Sequence, residues 1–145
     1  MQYLDTSFVV ALAREESNSA AAEAYAASRP IGALAISLWT RVELASAVSR
    51  EVRMGDVEAP AASRLLQQFD ARMRYRWHIW DVDASDCADA FAFVSRFATG
   101  LRAGDALHLA VAKNHRAELL TLDRGMLKAA KMLGVSASHG IRLAP

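Results

Sequence analysis

Residues 101–124, LRAGDALHLAVAKNHRAELLTLDR, decide the fold, because they join a helix to a strand and carry an acid at one end of each. Asp105 follows Gly104 and begins a run in which apolar residues recur at helical spacing. Residues 119–122 form an apolar run of buried-strand length, and Asp123 comes directly after it. Ligands of α/β folds collect at the carboxyl ends of parallel strands and at the helix starts beside them. The stretch therefore predicts an α/β fold with two acids at one edge of its sheet.

Short apolar runs elsewhere predict the other strands. Residues 3–4, 33–36 and 79–82 are strand candidates, and Val135 begins a short closing strand or coil. Helical periodicity fills the stretches between these runs. We therefore expect a parallel sheet of four to five strands, flanked by helices on both faces.

A helix is predicted over residues 84–98, and the sequence indicates its cap and its buried face. Ser85 or Asp86 is expected to cap it. Its buried face is expected to contain Ala88, Phe91, Ala92 and Val94. Cys87 is expected to pack beside them as a small hydrophobic residue.

Composition limits the class of protein. The 145 residues fit one domain, 1–145, and 53% apolar with 23% charged residues is typical of a globular chain. A formal net charge of +1 excludes a strongly basic coat, but it permits a local basic rim around an acidic centre. The single cysteine, Cys87, excludes an internal disulfide and a thiolate zinc cluster. No leader pattern or membrane-spanning run is present, so we expect a cytoplasmic protein.

Four acids occupy comparable positions in the expected fold: Asp5, Glu43, Asp105 and Asp123. Each follows a strand or lies near the start of a helix, and right-handed crossovers bring these positions to one edge of the sheet. Two like charges ~4 Å apart repel by about 4 kcal/mol at an effective dielectric constant near 20. Such a group needs a cation or bound protons, and oxygen-only ligands suit Mg²⁺ or Mn²⁺.

Taken singly, these residues also have structural interpretations. Asp5 or Thr6 suits an N-cap, and Glu43 suits compensation of a helix dipole. Residues 72–77, RMRYRW, interleave basic and aromatic side chains. They form either an RNA-facing patch or a helix end followed by a core strand. His108 follows Asp105 by three residues and is either a ligand or proton carrier, or a partly buried histidine.

Four motifs together resemble those of the PIN-domain ribonucleases, and most closely those of the VapC-type toxins of toxin–antitoxin pairs. In order they are LDTS at 4–7, TRVEL at 40–44, GDALHLA at 104–110 and LTLD at 120–123. The resemblance implies a parallel sheet flanked by helices and RNA cleavage that depends on Mg²⁺ or Mn²⁺. It also implies a homodimer and a small antitoxin partner that blocks the acidic pocket.

The resemblance also implies roles for individual residues. Its metal-binding acids are Asp5, Glu43, Asp105 and Asp123, and Thr6 supplies a hydroxyl that orients a carboxylate or water. In the reaction that the resemblance implies, water activated by the metal would attack phosphorus, and no covalent enzyme intermediate would form. Arg41, Arg102 and Arg124 adjoin these acids in sequence, so they either stabilise phosphate charge or form surface ion pairs. For His108 the resemblance favours the partly buried alternative.

Two other functions fit parts of the sequence. A Mg²⁺-dependent phosphotransfer domain would use Asp5 with Asp81 or Asp83, but it would also need a lysine at the end of the last strand. Residues 134–139 contain none. The other is a PIN-like module that binds RNA or a protein partner without cleavage, and the intact set of four acids is the only sequence feature against it.

Overall fold

A computed structural model describes residues 1–144 of the chain. In order, its elements are β1 (Gln2–Leu4), α1 (Thr6–Ala13), α2 (Ser19–Ala27), β2 (Leu34–Ser37), α3 (Leu38–Met54), α4 (Ala59–Arg76), β3 (His78–Trp80), α5 (Ala84–Val94), a 3₁₀ turn (Phe97–Thr99), α6 (Ala103–Asn114), β4 (Glu118–Leu120), α7 (Arg124–Leu133) and β5 (Ala137–Ser138). None of the helices in this part of the chain is long and apolar enough to cross a membrane.

The five strands form one parallel sheet in the order β3-β2-β1-β4-β5. β1 lies at the centre, where Tyr3 pairs with Ala35 of β2 on one side and with Leu119 of β4 on the other. After β1, the chain adds β2 and β3 on one side of it and then β4 and β5 on the other side. The carboxyl ends of β1 and β4 therefore lie side by side at the point where strand order reverses, which is a preferred place for a ligand.

Two helical layers cover the sheet, one on each face. Successive side chains of a strand point to opposite faces, so Leu4 packs into the core beneath α1–α4. Tyr3 packs into the core beneath α5–α7. Both side chains are fully buried. The predicted α/β fold, with a parallel sheet covered on both faces, is confirmed.

The expectation for α5 was wrong in its cap, its length and its buried face. The carboxylate of Asp83, rather than Ser85 or Asp86, caps the helix by accepting the backbone N–H groups of Ser85 and Asp86 at 2.7 and 3.0 Å. The helix ends at Val94, not at residue 98.

The inward face of α5 is set by a buried acid. Asp86 is only 2% exposed, and its carboxylate accepts hydrogen bonds from Asn114 Nδ2 at 2.9 Å and from the backbone of Asp83. The buried positions are therefore Asp86, Ala90 and Phe93. The predicted core residues Ala88, Phe91, Ala92 and Val94 are exposed, as is Cys87. Hydrophobicity alone placed the buried face wrongly.

Residues 72–76 form the end of α4 and Trp77 is its C-cap, as the structural alternative predicted. Arg72 binds both carboxylate oxygens of Glu23, at 2.9 and 2.8 Å. Arg74 donates to Asp70 at 2.7 Å. Trp77 is 6% exposed and packs edge-on against an aromatic ring of α4. Two of these arginines are thus engaged in ion pairs, and the tryptophan belongs to the core.

Candidate active site

The five residues proposed for the site line one open hollow of about 510 Å³: Asp5, Thr6, Glu43, Asp105 and Asp123. They come from four places in the chain: the end of β1 with the start of α1, the second turn of α3, the first turn of α6, and the start of α7. The topology therefore brings together the acids that the sequence analysis grouped. Their roles in metal binding and catalysis remain predictions.

Asp5 is the most deeply buried of the four acids. It is 2% exposed, and its Oδ1 accepts hydrogen bonds from Ser7 Oγ at 2.7 Å and from the backbone N–H of Phe8 at 3.0 Å. Its Oδ2 accepts one from Thr121 Oγ1 at 2.7 Å. Burial raises the pKa of Asp5, against the effect of these donors. Asp5 is thus both the N-cap of α1 and part of the hollow, so its two interpretations are compatible.

Glu43 is held through its Oε2. His108 Nε2 lies 2.7 Å from that oxygen, and the hydroxyl of Thr6 donates to it in a short hydrogen bond. Burial alone would raise the pKa of Glu43, but the hydrogen bonds from His108 and Thr6 hold it below its usual value. Glu43 is therefore ionised near neutral pH, and Thr6 orients its carboxylate.

His108 connects Glu43 to the buried centre of the sheet. The ring is 1% exposed, and its Nδ1 lies 2.7 Å from the hydroxyl of Tyr3. That hydroxyl in turn lies 2.8 Å from Ser37 Oγ. Burial raises the pKa of Tyr3, so its hydroxyl stays protonated and can donate to Nδ1. Because ionised Glu43 only accepts, the neutral ring that satisfies both bonds carries its proton on Nε2. The histidine is buried, but its contact with Glu43 was not predicted.

Asp105 and Asp123 face the hollow from neighbouring helix starts. Asp123 caps α7, its Oδ1 accepting backbone N–H groups of Gly125 and Met126 at 2.6 and 3.0 Å. Asp105 accepts the backbone N–H of Arg102 at 3.4 Å through Oδ2. The pKa of Asp105 is raised, first by partial burial and then by the negative charges of Asp123 and Glu43. Asp123 and Glu43 are therefore near enough to disfavour the ionisation of Asp105.

The donor set suits a hard divalent cation. Carboxylate oxygens are the ligands that Mg²⁺ and Mn²⁺ prefer, and a cation would relieve the repulsion that raises the pKa of Asp105. Within residues 1–144, no three acidic, histidine or cysteine side chains stand close enough together to hold a metal ion as they are. The residues present fit the ion chemically, and direct ligation by three or more of them requires the acids to draw closer together.

Three arginines line the same hollow: Arg50, Arg53 and Arg102. Arg102 was among the sequence candidates. Arg50 and Arg53 were missed, although they follow Glu43 by seven and ten residues and a helix places such positions on one face. Arg41 instead binds Asp70, with Nη2 2.6 Å from Oδ1, as the ion-pair alternative predicted.

The acids of the phosphotransfer alternative lie elsewhere. Neither Asp81 nor Asp83 is among the residues that line the hollow with Asp5. Asp83 instead caps α5. The geometry therefore does not place Asp81 or Asp83 beside Asp5, as the phosphotransfer alternative requires.

The sequence of the chain matches the PIN domain over residues 2–132, which includes all four acids. The chain belongs to the PIN domain family. The resemblance noted from its motifs is thereby confirmed. No curated protein matches the sequence at a significant level.

This PIN domain also shares its fold with solved structures. FitAcB from Neisseria gonorrhoeae superposes with a TM-score of 0.76 at 21% identity, over 97% of this chain and 98% of its own. The Sarcin-Ricin loop cleaving toxin VapC20 from Mycobacterium tuberculosis superposes with a TM-score of 0.73 at 18% identity, over 89% of this chain and 95% of its own. A toxin–antitoxin complex from Klebsiella pneumoniae superposes with a TM-score of 0.63 at 21% identity, over 85% of this chain and 87% of its own. At these identities the likeness establishes the fold.

Proposed function

We propose that this PIN domain is an endoribonuclease that depends on Mg²⁺ or Mn²⁺ and hydrolyses phosphodiester bonds of RNA. The observation that carries the proposal is the convergence of four carboxylates on one hollow at the reversal point of the sheet. Membership of the PIN domain family supports a nuclease in particular.

In this proposal Asp5, Glu43, Asp105 and Asp123 hold the ion. A bound divalent cation lowers the pKa of water and offsets the charge on phosphate oxygens. Thr6 orients Glu43 through its hydroxyl, as its hydrogen bond to Oε2 suggests. Water is the nucleophile, so no covalent enzyme intermediate forms. Arginine on the rim of the hollow offsets charge on the phosphate.

A cleavage assay with matched acid variants tests this proposal. We expect purified protein to cut single-stranded RNA only when Mg²⁺ or Mn²⁺ is added, and chelation to stop the reaction. Asp5→Asn and Asp105→Asn should each reduce the rate by at least about 100-fold, because each removes charge from the metal-binding set. Asp56→Asn, at an exposed position outside the hollow, is the control and should cut like the wild type.

Two outcomes would contradict the proposal, one by rejecting the acidic site and the other by rejecting cleavage. Cleavage that persists in both active-site variants would place the reaction elsewhere. Binding of RNA without cleavage under all metal conditions would support the alternative of a binding module.

We further propose that the protein is the toxin of a type II toxin–antitoxin pair and acts in the cytoplasm. Two structures with the same fold support this: VapC20 is described as a toxin, and the Klebsiella pneumoniae structure is a toxin–antitoxin complex. Expression should arrest growth, and co-expression of the cognate antitoxin should restore it. Asp105→Asn, expressed at the same level, should be harmless without the antitoxin.

A homodimer is the assembly that we propose for the chain. Phe91 and Phe97 are 77% and 89% exposed, and Val94 on the same side of α5 is 37% exposed. Burying such side chains against a second copy removes apolar surface from water.

A further inference from the structure

One face of α3 runs from the acids into a basic stretch. Glu43, Ser46, Ala47, Arg50 and Arg53 all line the hollow, at intervals of three or four residues that keep them on one side of the helix. Arg53 Nη1 donates to Ser49 Oγ at 2.7 Å, which anchors that guanidinium along the helix. The two arginines therefore extend the site along α3, away from the acids.

The charges of Arg50 and Arg53 are available to a ligand. Both side chains are exposed, and within residues 1–144 neither has a carboxylate oxygen within 4.0 Å. By contrast, Arg72 is paired with Glu23, and Arg41 and Arg74 share the carboxylate of Asp70. Two cations without a carboxylate partner among the described residues, beside an acidic centre, suit a ligand that carries repeated negative charges and passes over both.

The hollow continues on the other side of the acids. A second hollow of about 320 Å³ shares Arg102, Asp105, Asp123 and Met126 with the first and extends to residues 99–101 and Gly125. Asp105 and Asp123 thus lie between two connected depressions. A polymeric ligand can lie along α3, cross the acids and continue on the far side. The site therefore does not require the terminus of the polymer.

We propose that Arg50 and Arg53 bind backbone phosphates of the RNA strand on the α3 side of the bond that is cut. The inference rests on the proposed function and deepens it, because it assigns the path of the substrate on one side of the acids. Two guanidinium groups separated by one helical turn contact neighbouring phosphates and read no base, so this part of the site holds RNA of any sequence.

Salt dependence of RNA binding tests the inference. The background is Asp105→Asn, which is expected to bind without cutting, and the ligand is a labelled single-stranded RNA oligonucleotide in the presence of Mg²⁺. The logarithm of the RNA association constant falls as the logarithm of salt concentration rises, and each phosphate contact with a single strand makes this slope steeper by about 0.7. Arg50→Ala and Arg53→Ala should each make the slope shallower by about 0.7 and weaken binding several-fold at low salt. The double variant should combine both effects.

Arg74→Ala is the matched control, since Arg74 is also exposed on a helix but lies outside the hollow. It should bind RNA with the slope of the background. Unchanged slopes in the Arg50 and Arg53 variants would overturn the inference, as would an equal loss of binding to polyglutamate of the same charge.

The wild-type cleavage assay keeps the two proposals separable. If the wild type cuts RNA but the arginine variants bind with unchanged slopes, the inference alone fails. If the wild type does not cut RNA but the slopes fall as expected, the proposed function fails and the arginines remain RNA contacts.

Discussion

His108 Nε2 lies 2.7 Å from Glu43 Oε2, while Nδ1 of the same ring lies 2.7 Å from the hydroxyl of Tyr3. A surface-facing carboxylate is thus fixed by a buried residue of the central strand. The hydrogen bonds from Tyr3 through His108 give Glu43 one orientation. They engage its Oε2 and leave Oε1 outside this chain of bonds. Positioning of this acid therefore depends on the core of the sheet.

Tyr3→Phe tests that dependence. It removes the donor to His108 Nδ1 in a fully buried place, which should cost about 1–3 kcal/mol of unfolding free energy. Because the ring loses its anchor, cleavage should also fall by about tenfold. Urea denaturation and an RNA cleavage assay measure the two effects.

Tyr25→Phe is the control for Tyr3→Phe. It removes a tyrosine hydroxyl that donates to Gln2 at 2.8 Å, away from the hollow, and should leave cleavage unchanged. If both variants lost stability and neither lost cleavage, the bond from Tyr3 would have no role in positioning Glu43.

Gly104→Ala should separate activity from stability. A Cβ at position 104 would overlap Oε1 of Glu43, so the carboxylate must move. Replacing a helical glycine by alanine otherwise stabilises by roughly 0.5–1 kcal/mol. We expect a melting temperature equal to or above that of the wild type and a loss of cleavage of about 100-fold. Full activity in a folded variant would show that the position of Glu43 is not limiting.

Asp105→Asn should stabilise the metal-free protein at neutral pH. The pKa of Asp105 is raised in the folded chain, first by burial and then by Asp123 and Glu43, so its ionised form opposes folding. That penalty appears as pH rises above the unfolded pKa of about 3.9 and is complete above the folded pKa. In EDTA, the melting temperature of the variant should be above that of the wild type near pH 7 and equal to it near pH 3. A difference that does not change with pH would contradict this.

Phe91→Ser should weaken the proposed homodimer without unfolding the subunit, because the ring is 77% exposed. Sedimentation velocity should show a dimer for the wild type and a shift towards monomer for the variant. Tyr75→Ser is the control, because it removes an exposed aromatic residue from a different helix, α4. This variant should remain dimeric. A wild type that is monomeric at all concentrations would reject the assembly.

Much of the fold could be predicted from local patterns. The strand end at Asp5 follows from a short apolar run, and the helix starts near Glu43 and Asp105 follow from periodicity. The fourth strand was placed slightly too late: β4 ends at Leu120, so Asp123 lies three residues beyond it as the cap of α7. Parallel topology then places all four at one edge of the sheet. The grouping of the acids needed only the order of the elements.

Other features depend on contacts that local patterns do not reveal. Tyr3 and His108 are separated by 105 positions, and only the folded sheet brings their side chains together. The inward face of α5 was misjudged because Asp86, a polar residue, occupies a buried position and is satisfied by Asn114. Pairwise ionic contacts, such as that of Arg41 with Asp70, likewise need the tertiary structure.

The claim that the four carboxylates share a divalent cation is tested most directly by crystals grown with Mn²⁺ and examined by anomalous diffraction. We expect a peak within the hollow, roughly 2.0–2.2 Å from oxygens of at least two of Asp5, Glu43, Asp105 and Asp123, and its loss in Asp105→Asn. Well-ordered crystals in which Mn²⁺ occupies other surface sites while the hollow contains no peak would contradict the account.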